Sequence, residues 1–171
     1  MVPPISRNCG IIETPLGEML ATVSVGNRLE KLEFRDRVED SIAASGFDVA
    51  ELMKNTKKHP ILLQVQQEMN EYFAGKRQKF NVPLVDDNHH LLAIPYGETW
   101  TYQELANYMG KPKGARYAGY VCKTNNVCII IPCHRVVAKS GVVNYGAGPG
   151  RKIFLLDLEA KVTEDKLKKL K

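Results

Sequence analysis

The chain has no apolar run near the roughly 20 residues that a membrane-spanning helix needs, and its first ten residues lack the charged-then-apolar order of a signal peptide. Cysteine is also scarce. The four cysteines form no CxxC pair, which favours reduced thiols in an intracellular protein over a disulfide framework. No histidine or cysteine pair shows the spacing of zinc ligands, so no metal is expected. These absences predict a soluble protein with no membrane partner.

Acidic residues are unevenly distributed along the 171 residues, of which 44% are apolar. No Asp or Glu occurs from Leu105 to Leu156, and the formal charge is −2 over residues 1–90 and +7 over residues 91–171. A basic second half is typical of proteins that bind a polyanion such as DNA. A solvated basic face without a partner has the same composition, so charge alone supports both interpretations equally.

The first ninety residues predict an α+β domain. Two alternating apolar stretches surround turn residues near Gly17 and Asn27, which indicates a β-hairpin or meander. Apolar residues at helical spacing after Pro60 predict an amphipathic helix that ends at Gly75. The stretch KRQKFNVPLVDDNHH then predicts a strand followed by a polar linker, so we expect domains at 1–88 and 89–171.

Two short helices are predicted at the start of the second half. Thr101 with Glu104 forms a capping-box pattern before a helix from about Tyr102 to Met109. A second helix is expected from about Ala115 to just before Asn125, after a Gly/Pro turn. An ordinary αα-hairpin has the same pattern, but the acid-free basic surroundings favour a DNA-binding helix-turn-helix.

The stretch IIIPCHRVV holds the candidate nucleophile, Cys133. The apolar run predicts a buried strand that ends just before the sulfur. A histidine within reach could activate the thiol, but adjacent side chains on extended backbone point to opposite faces, so His134 needs a turned backbone or a bridging water. Asp157 and Glu159 are both available to orient the histidine, and residues alone do not choose between them. A buried packing cysteine is the alternative interpretation, and these observations leave the two equally supported.

Taken together, the motifs resemble the O6-alkylguanine-DNA alkyltransferase family. The similarity runs through IPYGETWTYQELA, GKPKGARYAGY, IPCHRVV, NYGAG and KIFLLDLE, and TPLGEML and YFAGKRQKFNVPL fit the amino-terminal domain of the family. The resemblance implies an α+β protein, with a small N-terminal α/β (ribonuclease-H-like) domain and a C-terminal, mostly helical, winged helix-turn-helix domain.

The resemblance also implies roles for individual residues. Cys133 would accept the alkyl group, His134 would activate it through water, Glu159 would orient the histidine, Asn125 would be a buried brace of the turn, and Tyr102 would reach the flipped base. Arg116 would enter the duplex. DNA contacts are expected from Arg116, Ala115, Tyr117, Gly119, Lys113, Lys123 and Arg135. The substrate pocket is expected to contain Pro132, Val136, Tyr145, Gly146 and Lys152.

The implied reaction is a stoichiometric direct reversal of damage. The protein would flip O6-alkylguanine, mainly O6-methylguanine, from the minor groove of double-stranded DNA and transfer the alkyl group irreversibly to Cys133, as a monomer and without a cofactor. A DNA-lesion binding protein that flags damage without repairing it, and a cysteine hydrolase with a Cys-His-Glu triad, are the alternatives. The expected location is the nucleus in a eukaryote, or otherwise the cytoplasm and nucleoid.

Several positions depart from the family pattern. Tyr117 stands where the family usually has alanine, and Asn126 and Cys128 replace common prolines. The loop after Gly141 is one residue shorter than in many members. The segment VDDNHHLLA replaces a family helix, so we expect either reduced stability or packing by other residues.

Overall fold

The structure is a computed structural model that describes residues 8–46, 48–87, 89–141 and 144–171. The chain divides into two compact units. One contains Met1–Asp87 with Asn126–Cys128, and the other contains Asn88–Asn125 with Ile129–Lys171. Asn88, at the expected domain boundary, lies outside the described residues, as do Val142 and Val143 in the shortened loop and residues 1–7 at the amino terminus.

The first unit contains an antiparallel meander of three strands, β1 (Cys9–Ile12), β2 (Met19–Val23) and β3 (Leu29–Phe34). Gly17 and Asn27 take positive φ angles of 118° and 57°, which turn the chain between the strands. The predicted meander is therefore confirmed. The segment from the other half, Asn126–Cys128, joins β3 through hydrogen bonds from Leu32 N to Asn126 O (2.7 Å) and from Cys128 N to Leu32 O (2.9 Å).

Three helices follow the meander: α1 (Arg35–Ser45), α2 (Val49–Thr56) and α3 (Pro60–Phe73). The predicted amphipathic helix corresponds to α3, which buries Leu62, Val65, Met69 and Tyr72. The sequence did not reveal α1 or α2, because α1 buries only Ile42 and α2 spans only eight residues. Helix α2 lies close to β1, where a Cβ on Gly10 would fall 2.4 Å from Thr56 Oγ1.

The strand predicted in KRQKFNVPL is wrong. Residues 76–83 form no strand, and Leu84 makes only an isolated bridge with Leu29. The buried carboxylate of Glu68 accepts hydrogen bonds from the backbone N–H groups of Asn81 (2.8 Å) and Val82 (3.3 Å), and Pro83 has no N–H. Amides satisfied by a side chain are not available for a β-ladder.

The second unit is mostly helical. Its elements are β4 (Trp100–Thr101), α4 (Tyr102–Tyr108), α5 (Ala115–Lys123), a 3-10 helix (Cys133–Arg135), β5 (Val136–Val137) and α6 (Pro149–Lys169), and β4 pairs with β5 in parallel. The predicted capping box is present, because Thr101 and Glu104 each accept a backbone N–H from the other. Both predicted short helices and the α+β class are confirmed.

The segment that replaces the family helix forms a short 3-10 helix, His90–Ala93. His89 caps it by accepting a hydrogen bond from Leu91 N at 3.2 Å, and Leu91 and Ile94 are fully buried. The interpretation of this segment as a polar linker is therefore only partly correct, because apolar residues anchor it in the second unit.

Candidate active site

Cys133 begins the 3-10 helix Cys133–Arg135, and its backbone is turned rather than extended. The predicted strand before the sulfur is wrong: residues 128–130 form a turn, and Ile129 has a φ of 73°. The apolar residues of this stretch are nevertheless buried, so the burial was predicted correctly and the conformation was not. Cys133 itself is 7% exposed.

Asn125 holds the turn and also reaches the sulfur. Its side-chain Nδ2 donates to Ile131 O at 2.8 Å and to Cys133 Sγ at 3.1 Å. Asn125 is half-buried, not fully buried as expected. Burial raises the pKa of the Cys133 thiol, whereas the Asn125 amide, the Lys152 ammonium and the Tyr145 hydroxyl act in the opposite direction. Cys133 therefore rests as a thiol with a donor ready to stabilise its sulfur as charge develops.

His134 and Glu159 form a buried pair, with His134 Nε2 and Glu159 Oε1 2.8 Å apart. Burial acts to raise the pKa of Glu159, but hydrogen bonds from His134 and Arg135 outweigh it and lower that pKa to about 2. Burial lowers the pKa of His134, although Glu159 opposes the effect. A neutral imidazole facing an ionised carboxylate carries its proton on Nε2, which leaves a lone pair on Nδ1.

Helical spacing decides between the two candidate carboxylates. Helix α6 buries Lys152, Leu155 and Glu159, which lie three and four residues apart and so share one face. Asp157 falls on the opposite side and is exposed. The residue that faces His134 is therefore Glu159.

Arg135 was expected on the DNA surface, and this placement is wrong. It is 7% exposed, and its Nε and Nη2 atoms donate to Glu159 Oε2 and Oε1, each at 2.9 Å. Its Nη1 atom donates to Ile94 O at 2.8 Å, and Tyr96 lies beneath the guanidinium at 5.5 Å. The charge of Arg135 neutralises the buried carboxylate and is not part of the exposed basic surface.

Gly97 is a site residue that the sequence reasoning missed. Its N–H donates to Glu159 Oε2 at 3.2 Å, and it has a φ of 79°. A Cβ at this position would fall 2.2 Å from Thr163 Oγ1 on α6. Both the positive φ and the close approach require glycine. The only signal in the sequence was a turn glycine after Tyr96, which did not distinguish it from other turn residues.

Lys152 is 2% exposed, and its Nζ donates to the carbonyl oxygens of Val136 and Asn144. Of the other expected pocket residues, Pro132 and Val136 are buried, Tyr145 is half-buried and Gly146 is exposed. Lys152 thus ties the backbone of β5 to the loop that carries Tyr145.

The remaining expected DNA contacts lie on or just before α5. Lys113, Arg116, Tyr117 and Lys123 are exposed, and Ala115 and Gly119 are half-buried. A Cβ on Gly119 would lie 4.0 Å from the ring of Tyr102, the first residue of α4. Burial raises the pKa of Tyr102, and Cys122 and Cys133 contribute in the same direction, so the hydroxyl keeps its proton at neutral pH.

The other cysteines and histidines do not assemble a second centre in the described part of the chain. No group of three or more His, Cys, Asp or Glu side chains there could hold a metal ion. Cys9 is buried, and Cys122 and Cys128 are half-buried. His59 and His89 each cap the helical turn that follows them.

Two family models match almost the whole chain. Residues 8–85 match the "6-O-methylguanine DNA methyltransferase, ribonuclease-like domain", and residues 88–161 match the "6-O-methylguanine DNA methyltransferase, DNA binding domain". The constitutive methylated-DNA–protein-cysteine methyltransferase of Bacillus subtilis is 35% identical over 159 residues, which cover 86% of this chain and 92% of that protein. The chain belongs to the methylated-DNA–protein-cysteine methyltransferase family.

Other members of the family agree in sequence and in fold. The Methanosarcina barkeri methylated-DNA–protein-cysteine methyltransferase is 34% identical over 87% of this chain and 94% of its own length. The crystal structure of Mycobacterium tuberculosis O6-methylguanine methyltransferase superposes with a TM-score of 0.72 at 32% identity, covering 90% of this chain and 93% of that one. The family identified from sequence motifs and the fold class expected with it are both confirmed.

DNA is the partner that these comparisons support. The second half matches a DNA-binding domain, and an M. tuberculosis OGT crystal structure in complex with DNA superposes with a TM-score of 0.70 at 31% identity, over 90% of this chain and 93% of that one. None of the helices in the described ranges is both long enough and apolar enough to cross a membrane.

Proposed function

We propose that this protein repairs guanine alkylated at O6 by taking the alkyl group onto Cys133 once. The observation that carries the proposal is the arrangement at the sulfur. Cys133 Sγ accepts an N–H from Asn125 at 3.1 Å, and the adjacent His134 is held in one tautomer by Glu159 at 2.8 Å. A nucleophile, a base and an orienting carboxylate are thus supplied by neighbouring or hydrogen-bonded residues.

The proton of the thiol leaves as the sulfur attacks. The raised pKa of Cys133 means that little thiolate exists at neutral pH, so a base must take the proton during the reaction. His134 Nε2 is engaged by Glu159, which leaves Nδ1 as the accepting nitrogen. One water between Sγ and Nδ1 completes the route, and the imidazolium that forms is stabilised by the ionised Glu159.

Bond making and breaking then balance without a further reactant. The sulfur forms a bond to the alkyl carbon while the bond from that carbon to guanine O6 breaks, and the electron pair passes to the purine. The purine becomes guanine by taking up one proton, which balances the proton that the thiol gives to His134 through water. Tyr102 supports this step as a donor, since its hydroxyl remains protonated while negative charge develops on the leaving base. The product is a thioether, which resists hydrolysis, so each molecule acts once.

DNA engagement is assigned to α5. Arg116 is exposed in the first turn of α5, where it can enter the duplex as the modified nucleotide leaves the stack, and Lys113 and Lys123 contact phosphates. The proposal includes a minor-groove approach, a monomeric protein and domains at 1–88 and 89–171. In a bacterial or archaeal host, like those of the relatives, it places the protein in the cytoplasm and nucleoid.

Intact-mass measurement after incubation with duplex DNA containing O6-methylguanine tests the proposal. The expected result is a gain of one CH₂ per molecule on the peptide that contains Cys133, with guanine restored in the DNA. DNA binding without a mass gain would instead indicate a protein that flags lesions. More than one methyl group removed per molecule would indicate a catalyst with turnover, such as a cysteine hydrolase, and would refute single use.

A further inference from the structure

The outer face of α5 carries two exposed, stacked tyrosines. Tyr117 and Tyr120 are 43% and 60% exposed, and their ring centroids lie 6.2 Å apart with an interplanar angle of 28°. Lys111 Nζ lies 3.9 Å from the centroid of the Tyr117 ring. Tyr117, Tyr120 and Lys111 together form a tyrosine platform. Because Ala118 and Val121 bury the other face of α5, the tyrosines are not needed to fill a core.

The surroundings of the tyrosine platform are cationic. Arg116 and Lys123 are exposed on the same helix, at spacings that place them beside Tyr120, and Lys113 is exposed just before it. No Asp or Glu occurs between Leu105 and Leu156. Exposed aromatic rings within a positive surface are the arrangement by which proteins bind unpaired nucleic-acid strands, since bases stack on the rings while cations follow the backbone.

We propose that the tyrosine platform stacks on unpaired bases of a DNA strand, which makes unpaired DNA a preferred ligand of this face. The two rings already lie roughly parallel, so ordering them costs little conformational entropy when a base stacks upon them. Lys111 adds attraction for the phosphate backbone. The inference rests on the proposed function only in taking DNA as the partner, because base stacking does not require the thiol.

Fluorescence anisotropy with a labelled 12-nucleotide single strand, and with the same sequence as a duplex, tests the inference. Loss of one base–aromatic stack weakens binding by about 5- to 150-fold. The affinity of Y117A/Y120A for the single strand is therefore expected to fall by at least a factor in that range. Y117F/Y120F keeps the rings and is expected to bind within about twofold of the unchanged protein. Duplex affinity of Y117A/Y120A should fall by a smaller factor.

Three results would overturn the inference: equal binding by the alanine and phenylalanine variants, equal losses on single strand and duplex, or a wild-type dimer that dissociates in Y117A/Y120A. Thermal unfolding verifies that both variants fold, as expected for exposed side chains. Intact-mass measurement on the wild-type protein separates this inference from the proposed function. Absence of methyl gain with intact single-strand stacking would refute the repair reaction and leave the tyrosine platform supported.

Discussion

Replacing Glu159 by glutamine tests how the buried charges of the site support one another. Within the described part of the chain, the two carboxylate oxygens receive hydrogen bonds from His134 Nε2, from Nε and Nη2 of Arg135 and from Gly97 N. Each oxygen faces two donors. In Glu159→Gln, the amide NH₂ group must therefore point at two donors whichever way it is placed, and Arg135 keeps a buried charge without its counterion.

The expected loss of stability is large. Removing one partner of a buried ion pair costs about 3–5 kcal/mol, which corresponds to a fall in Tm of about 6–20 °C for a protein of this size. The rate of methyl transfer should fall as well, because His134 loses the group that sets its tautomer, and general-base catalysis contributes about 10²–10⁴-fold. Urea unfolding and single-turnover transfer measure the two effects separately.

Asp157→Asn provides the matched control on the same helix. Asp157 is exposed, so its replacement should change stability by no more than about 0.5 kcal/mol. Glu159→Gln combined with Arg135→Met removes both buried charges and should be more stable than Glu159→Gln alone. A loss of stability in Glu159→Gln no larger than in Asp157→Asn would exclude a buried ion pair at this position. A further loss of stability on adding Arg135→Met would exclude it as well.

Three further predictions concern other residues. Cys133→Ser should abolish the mass gain from O6-methylguanine DNA. Its DNA affinity in an anisotropy titration should stay within about threefold of the unchanged protein, because the side chain is buried. Methyl transfer that survives the substitution would mean that another residue is the nucleophile. Burial lowers the pKa of His134 in the folded state, so its contribution to stability is complete above about pH 6.5 and declines as the pH falls below that value. Urea unfolding between pH 7 and 5 should therefore show a falling free energy of unfolding, and His134→Gln should make that fall smaller. Thr101→Ala removes the cap of α4 and should cost about 0.5–2 kcal/mol in thermal unfolding, whereas Thr101→Ser should restore most of it; equal losses would argue against capping.

The sequence by itself determined the features that depend on neighbours in the chain. The capping box at Thr101, the spacing of apolar residues in α3 and the turn glycines are local signals, and the structure contains all three elements. The motif around Cys133 and the motifs on either side of it also identified the family. Helices α1 and α2 were not predicted from the sequence, because α1 buries only Ile42 and α2 spans only eight residues.

Only the tertiary structure decided how the site is assembled. Glu159 lies 25 residues after His134, and the choice of Glu159 over Asp157 depends on which face of α6 is buried. The sequence identifies Arg135 as a basic residue, but it does not show whether that charge contacts DNA or neutralises a buried carboxylate. The strand expected before Cys133 is absent because the apolar run predicted burial, and burial does not fix whether the backbone is extended or turned. Contacts between residues that are distant in the chain set both burial and backbone conformation. Such contacts leave no periodic pattern in the sequence.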